Sequence, residues 1–160
     1  MKIRVPIAAA ILFLAVAAPR QGRAVQASDN DSDNPNVRPP VTKADIRIVQ
    51  RAREILNSPS KWNRADNRVC PPEAKTFSLY CALEIATDEV TGKFEHRGAV
   101  MQEARFVIDE IAAGKNYNHR LMDYNNDPAT TFPDIQKFFQ LLGERVTRRL
   151  QEESKDRRGP

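Results

Sequence analysis

FPDIQKFFQLLGERVTRRLQ, residues 132–151, decides the fold. Ile135, Phe138, Phe139, Leu142, Val146 and Leu150 recur at spacings of three and four, which puts them on one side of an α-helix. The rest of the chain reads the same way. Thr42 opens a first helix, because Thr-x-x-Asp (Thr42, Asp45) can satisfy free backbone donors, and Ile48, Ala52, Ile55 and Leu56 form its stripe. Asn57, Ser58 and Pro59 end it. A second helix is predicted over about Thr76 to Val90, with Phe77, Leu79, Cys81, Leu83 and Ile85 inward and Gly92 just beyond. A third is predicted over about Gly98 to Ala113, carrying Val100, Ala104, Val107, Ile108 and Ile111 and closed by Gly114. No segment alternates with period two for long enough to claim a strand. The expectation is an all-α fold, a single small domain of four main helices over residues 42–151, with long polar connections at Lys61 to Lys75 and Lys115 to Thr131.

Residues 1–27 read as a secretory signal peptide. Lys2 and Arg4 precede the apolar run Val5 to Ala18, and Val25-Gln26-Ala27 gives the small-x-small pattern of a cleavage site. The run is too short to cross a bilayer core of roughly 30 Å, so no membrane span is expected after cleavage. Residues 28–41, SDNDSDNPNVRPPV, hold too little apolar surface to offset ordering entropy and read as a disordered linker. Residues 152–160 read as a charged, flexible tail. The expected location is exported, periplasmic or secreted.

Cleavage changes the charge. The chain has 25 Lys+Arg against 21 Asp+Glu. The leader holds Lys2, Arg4, Arg20 and Arg23 and no acid, so removing it leaves 21 against 21. A balanced chain has no global positive field, and nucleic acid is not an expected partner. Lys43, Arg47, Arg51 and Arg53 cluster on the first helix and read as a solvated face.

The two cysteines, Cys70 and Cys81, are closely spaced. In an oxidising compartment the simplest reading is a disulfide tying the loop after Trp62 to the second helix. The competing reading is a thiol enzyme with Cys81 as nucleophile and His96 or His119 as base, oriented by Asn126 or Asp127. No glycine-rich oxyanion loop accompanies Cys81. Two cysteines and two histidines at these spacings match no zinc site.

The stretch from Asp123 to Asp134 places oxygen donors at calcium-loop positions: Asp123, Asn125, Asp127, Thr131 and Asp134. Pro128 stands where the sharp turn calls for glycine, and Asp134 where a longer Glu reaches back bidentately. The same residues make a good helix start, with Thr131 as N-cap, Pro133 in the first turn and Asp134 at N3. No cofactor is expected, with calcium as the alternative.

Ser78-Leu79-Tyr80-Cys81-Ala82-Leu83-Glu84-Ile85-Ala86 resembles the Cys-Ala-x-Gly-Ala helix of a bacterial domain family of unknown function, with Glu84 at the family's glycine. Tyr124, Asn126 and Asp127, followed by Thr130 and Thr131, are similar to its later Trp-Asn-Asp element before a Thr-rich helix start. Trp62 falls where that family tends to carry a Trp. The likeness spans about Thr42 to Val146 and implies a helical domain and no particular activity. The functional expectation is therefore a non-catalytic binding or interaction module for an unknown protein or small ligand. The alternatives are a calcium-stabilised domain using the Asp123–Asp134 loop and a Cys81-dependent hydrolase or thiol enzyme.

Overall fold

A computed structural model describes residues 37–157 and Gly159. The expected signal peptide, and the linker as far as residue 36, lie outside the described residues. Five α-helices follow in order: α1 (Lys43–Ile55), α2 (Leu79–Thr91), α3 (Ala99–Ile111), α4 (Arg120–Asn126) and α5 (Phe132–Asp156). Among the described residues there is no strand, only an isolated parallel bridge pairing Trp62 with Phe77. None of the described helices is long and apolar enough to cross a membrane.

The helix starts are written locally. Thr42 and Asp45 form a capping box on α1, and Thr131 and Asp134 form one on α5. In each, the Asp reaches back to the N-cap backbone N–H, which satisfies donors left open at a helix start. The second helix begins at Leu79 and not Thr76, because Ser78 Oγ accepts from Cys81 N at 3.1 Å and so acts as its N-cap. Gly92 ends α2 with φ 76°, a left-handed backbone that favours glycine.

α1 packs on α2 and α5, and α3 packs on α5 and α4. The apolar stripe of α5 supplies Ile135, Phe138, Phe139, Leu142 and Val146, each at most 1 % exposed. It meets Met101 and Ile108 from α3, Leu79 and Leu83 from α2, and Leu56 at the end of α1. Each such side chain contributes roughly 1.5–3 kcal/mol when removed from water. Gln136 Nε2 on α5 donates to Leu56 O at 2.8 Å, closing a carbonyl left open at the end of α1. Arg51 pairs with Glu54 and Glu89, so the basic face of α1 is partly neutralised by α2.

The structure differs from the four-helix expectation in three places. α4 lies inside the stretch expected to be a polar connection; Leu121, Tyr124 and Asn125 bury its inner side. Asp123 Oδ2 accepts from His119 N at 2.8 Å at its start. α5 continues past Gln151 to Asp156, where Glu153 pairs with Arg149 at 2.7 Å and accepts from Val41 N. Residues 37–41, at the end of the expected linker, are packed. Val41 is fully buried, Arg149 donates to Pro39 O, and the Arg38 guanidinium sits 4.2 Å over the Phe106 ring. Valine and arginine stem supply here the apolar contact that the polar composition of 28–36 lacks.

Candidate functional site

Two side chains at the end of α4 organise the long loop after α1. Asn125 is fully buried. Its Oδ1 accepts from Trp62 Nε1 at 2.8 Å and from Leu79 N at 2.9 Å, so it serves the first turn of α2 from a different helix. Its Nδ2 donates to Asn63 O and to Asn126 Oδ1. Asn126 then grips Asp66 by both backbone groups: Oδ1 accepts from Asp66 N at 2.7 Å and Nδ2 donates to Asp66 O at 2.8 Å. A buried polar group with every partner in place fixes one arrangement of its surroundings. Of the expected motif residues, Trp62 and Asn126 belong to this clamp and Asp127 O accepts from Arg64 beside it, whereas Tyr124 bonds Asp134 O and Thr131 caps α5.

The calcium donors are spent on other partners. Asp127 Oδ2 accepts from Lys115 Nζ and, at 2.6 Å, from Tyr117 Oη, while Oδ1 accepts from Ala129 N. Lys115, then Tyr117, then the Ala129 N–H hold the Asp127 carboxyl well below the usual carboxylate range. Burial and the bond to Asp127 push the Tyr117 phenol up, and burial pushes Tyr124 up to about 12. Asp123 caps α4, Asp134 caps α5, and Asn125 is committed to the clamp. No group of three or more His, Cys, Asp or Glu gathers to hold a metal among the described residues.

Cys70 and Cys81 form a disulfide, with Cα atoms 5.4 Å apart. This corrects the thiol-enzyme reading: Cys81 has no thiolate to offer, and it lies 5 % exposed under the loop it anchors.

His96 and His119, the candidate bases of the thiol-enzyme alternative, both line one cleft. They face a cleft of about 220 Å³ at the junction of α2, α3 and α4, together with Arg68, Arg97, Arg105 and Arg120. Its described lining contains no carboxylate. Arg105 Nη1 donates to His96 O at 3.1 Å and to Gln102 Oε1 at 2.7 Å, and Nη2 lies 3.0 Å from His96 Nε2. A guanidinium has no acceptor, so His96 Nε2 accepts and the ring proton sits on Nδ1, 3.3 Å from the Tyr80 hydroxyl. Burial, then the nearby Glu84 carboxylate, push the Tyr80 phenol up, and Glu84 does not line the cleft. Burial, then Arg105, Arg97 and Arg68, push the His96 imidazole below its ordinary value. Burial, then Arg97 and Arg120, draw Arg105 down to about 10. Arg120 is paired with Asp109 at 2.6 Å; among the described residues neither Arg68 nor Arg105 makes an ion pair.

Arg68 reaches the cleft from a left-handed backbone, φ 60°. That conformation costs a non-glycine residue roughly 1–2 kcal/mol, so its surroundings must hold it. They do: Arg68 N donates to Asp66 Oδ1 at 2.7 Å, and Asp66 is the residue gripped by Asn126. The clamp therefore positions one wall of the cleft. The two histidines, bases only in the thiol-enzyme alternative, line this cleft instead. Arg68, Arg97, Arg105 and Arg120 come from separate segments, and nothing in their spacing brings them together.

These features define a small, disulfide-bridged, all-α domain with a basic cleft beside its shortest helix. The chain belongs to a family of unknown function (DUF6197), whose model matches residues 40–144, from just before Val41 to within α5. No curated protein and no solved structure matches the chain.

Proposed function

We propose that the protein is an exported, non-catalytic binding module whose recognition site is the cleft between α2, α3 and α4. One observation carries this reading: arginines from separate segments converge on a concave space whose described lining holds no carboxylate. Clustered like charges destabilise the free fold through mutual repulsion, and a ligand of opposite sign offsets that cost. The imidazole best placed for proton transfer, His96, has Nε2 occupied by Arg105, which fits recognition better than acid–base turnover. The sequence of residues 1–27, read as a leader, supports a location outside the cytoplasm, and the Cys70–Cys81 bridge fits such an oxidising compartment.

Native, non-reducing mass spectrometry of protein recovered from its own host and compartment tests this. The expected result is a mature chain starting near Ser28, two hydrogens lighter for the bridge, carrying a small molecule that Arg105→Gln does not retain. A chain still bearing residues 1–27 would remove the exported reading. A retained molecule unaffected by Arg105→Gln would move the site elsewhere.

A further inference from the structure

We propose that this cleft binds a small oxyanion carrying two negative charges, held between the guanidinium groups of Arg105 and Arg68. The proposal rests on the binding reading above and adds the chemical class of the ligand.

Charge balance sets the valence. Of the four arginines lining the cleft, Arg120 is already matched by Asp109 and Arg97 is not free of partners, whereas Arg68 and Arg105 make no ion pair among the described residues. A dianion matches those two cations; a monoanion leaves one of them uncompensated.

Geometry sets the group. Arg105 Nη1 donates to His96 O and Gln102 Oε1, and Nη2 to His96 Nε2. Nε makes no hydrogen bond among the described residues, and Nε with its neighbouring Nη forms one edge of the guanidinium. That edge is the fork that takes two oxygens of a phosphate, sulfate or carboxylate side by side. Because both Nη atoms are already tied to His96 and Gln102, the guanidinium is pre-oriented and little side-chain freedom is lost on binding. Arg68 is oriented by its left-handed backbone and the Asp66 bond beneath it.

Volume sets the size. About 220 Å³ is below the roughly 300–1,000 Å³ of pockets that enclose drug-sized ligands. A phosphate or sulfate group on a short carrier fits that scale, as does a short dicarboxylate. A nucleic-acid backbone would call for a basic stripe beyond a single cleft.

Calorimetric titration of the full chain tests the assignment, with ionic strength held constant by sodium chloride at pH 7.5. The probes are inorganic phosphate, sulfate, succinate and, as the monoanion, acetate. Saturable one-to-one binding of at least one dianion is expected, with acetate weaker by about tenfold or more. Arg105→Gln should weaken the dianion by about tenfold or more, and Arg68→Gln by several-fold. Arg148→Gln, on an exposed part of α5 away from the cleft, should leave affinity unchanged. Preference for phosphate and sulfate assigns a tetrahedral group; preference for succinate assigns a dicarboxylate. Arg105 also bonds the fold, so Arg68→Gln, at an exposed position, keeps the test decisive should Arg105→Gln unfold. Absence of saturable binding by any dianion, or equal affinity in wild type and Arg68→Gln, would overturn the proposal. If the native protein retains a neutral or singly charged molecule that Arg105→Gln loses, while phosphate, sulfate and succinate fail to bind, the binding module stands and the dianion falls.

Discussion

Trp62 Nε1 donates to Asn125 Oδ1 at 2.8 Å, joining the loop after α1 to the end of α4. The same oxygen takes Leu79 N, so one buried amide holds three segments. Asn125→Ala removes their acceptor and leaves buried donors without partners, at roughly 1–3 kcal/mol for each group. A loss of about 3 kcal/mol is expected in urea unfolding. Trp62 is the chain's single tryptophan, so its fluorescence reports on this joint directly. A change under about 0.5 kcal/mol would show that the amide carries no such weight.

The Cys70–Cys81 bridge closes a short loop, with a sequence separation of 11. By loop-closure entropy of the unfolded chain, replacing both cysteines with serine should cost about 3 kcal/mol. Melting with and without reductant checks this: wild type should fall towards the double variant under reduction, and the double variant should not respond.

Glu103 is fully buried between two arginines, with Arg145 Nε at 2.5 Å and Arg149 Nη1 at 2.6 Å. Arg145 also pairs with Glu110, and Arg149 with Glu153, tying α3 to the second half of α5. Breaking a buried ion pair from one side leaves uncompensated charge, which costs about 3–5 kcal/mol. Glu103→Gln should therefore destabilise strongly, and Glu103→Gln combined with Arg145→Met should recover part of the loss. A double-mutant cycle with no coupling would dismiss the network.

Acid should weaken the fold in two separate steps. The folded His96 imidazole is held below its ordinary value of 6.5, so the unfolded chain takes up its proton first as pH falls. Its contribution is full above that value and is lost below it. Asp127 is held below its ordinary 3.8, so its contribution is present above that value and disappears only at stronger acidity. In melting curves against pH, His96→Asn should flatten the slope just below 6.5, and Asp127→Asn the slope below 3.8. Identical slopes in wild type and variants would reject both assignments.

The stripes of α1, α3 and α5 were legible because repeated apolar spacing and adjacent capping residues are local properties. Both Thr–Asp boxes could be read directly, and so could the cysteine pair. α4 was not, since its Arg-Leu-Met-Asp-Tyr-Asn-Asn run shows no apolar period. It is a helix because Asp123 caps it, Leu121 and Tyr124 find the core, and Asn125 is drawn into the clamp. Buried asparagine in a polar stretch looks like a turn until its partners, far away in sequence, are known. The cleft was hidden for the same reason. His96, Arg105 and Arg120 belong to different elements, and Arg68 depends on a backbone conformation that no apolar pattern encodes. The Asp123–Asp134 spacing suited a calcium loop, yet capping and the Lys115 pair claim the same oxygens.

Gln102 takes Arg105 on its Oε1 and gives its Nε2 hydrogen to Val37 O at 2.9 Å. One side chain thus touches both the wall of the cleft and the point where the chain enters the described fold. Val37 O is held one side chain away from Arg105. A substitution at Gln102 therefore releases the Val37 carbonyl and the Arg105 guanidinium together, so the footing of residues 37–41 and the cleft wall answer to one amide.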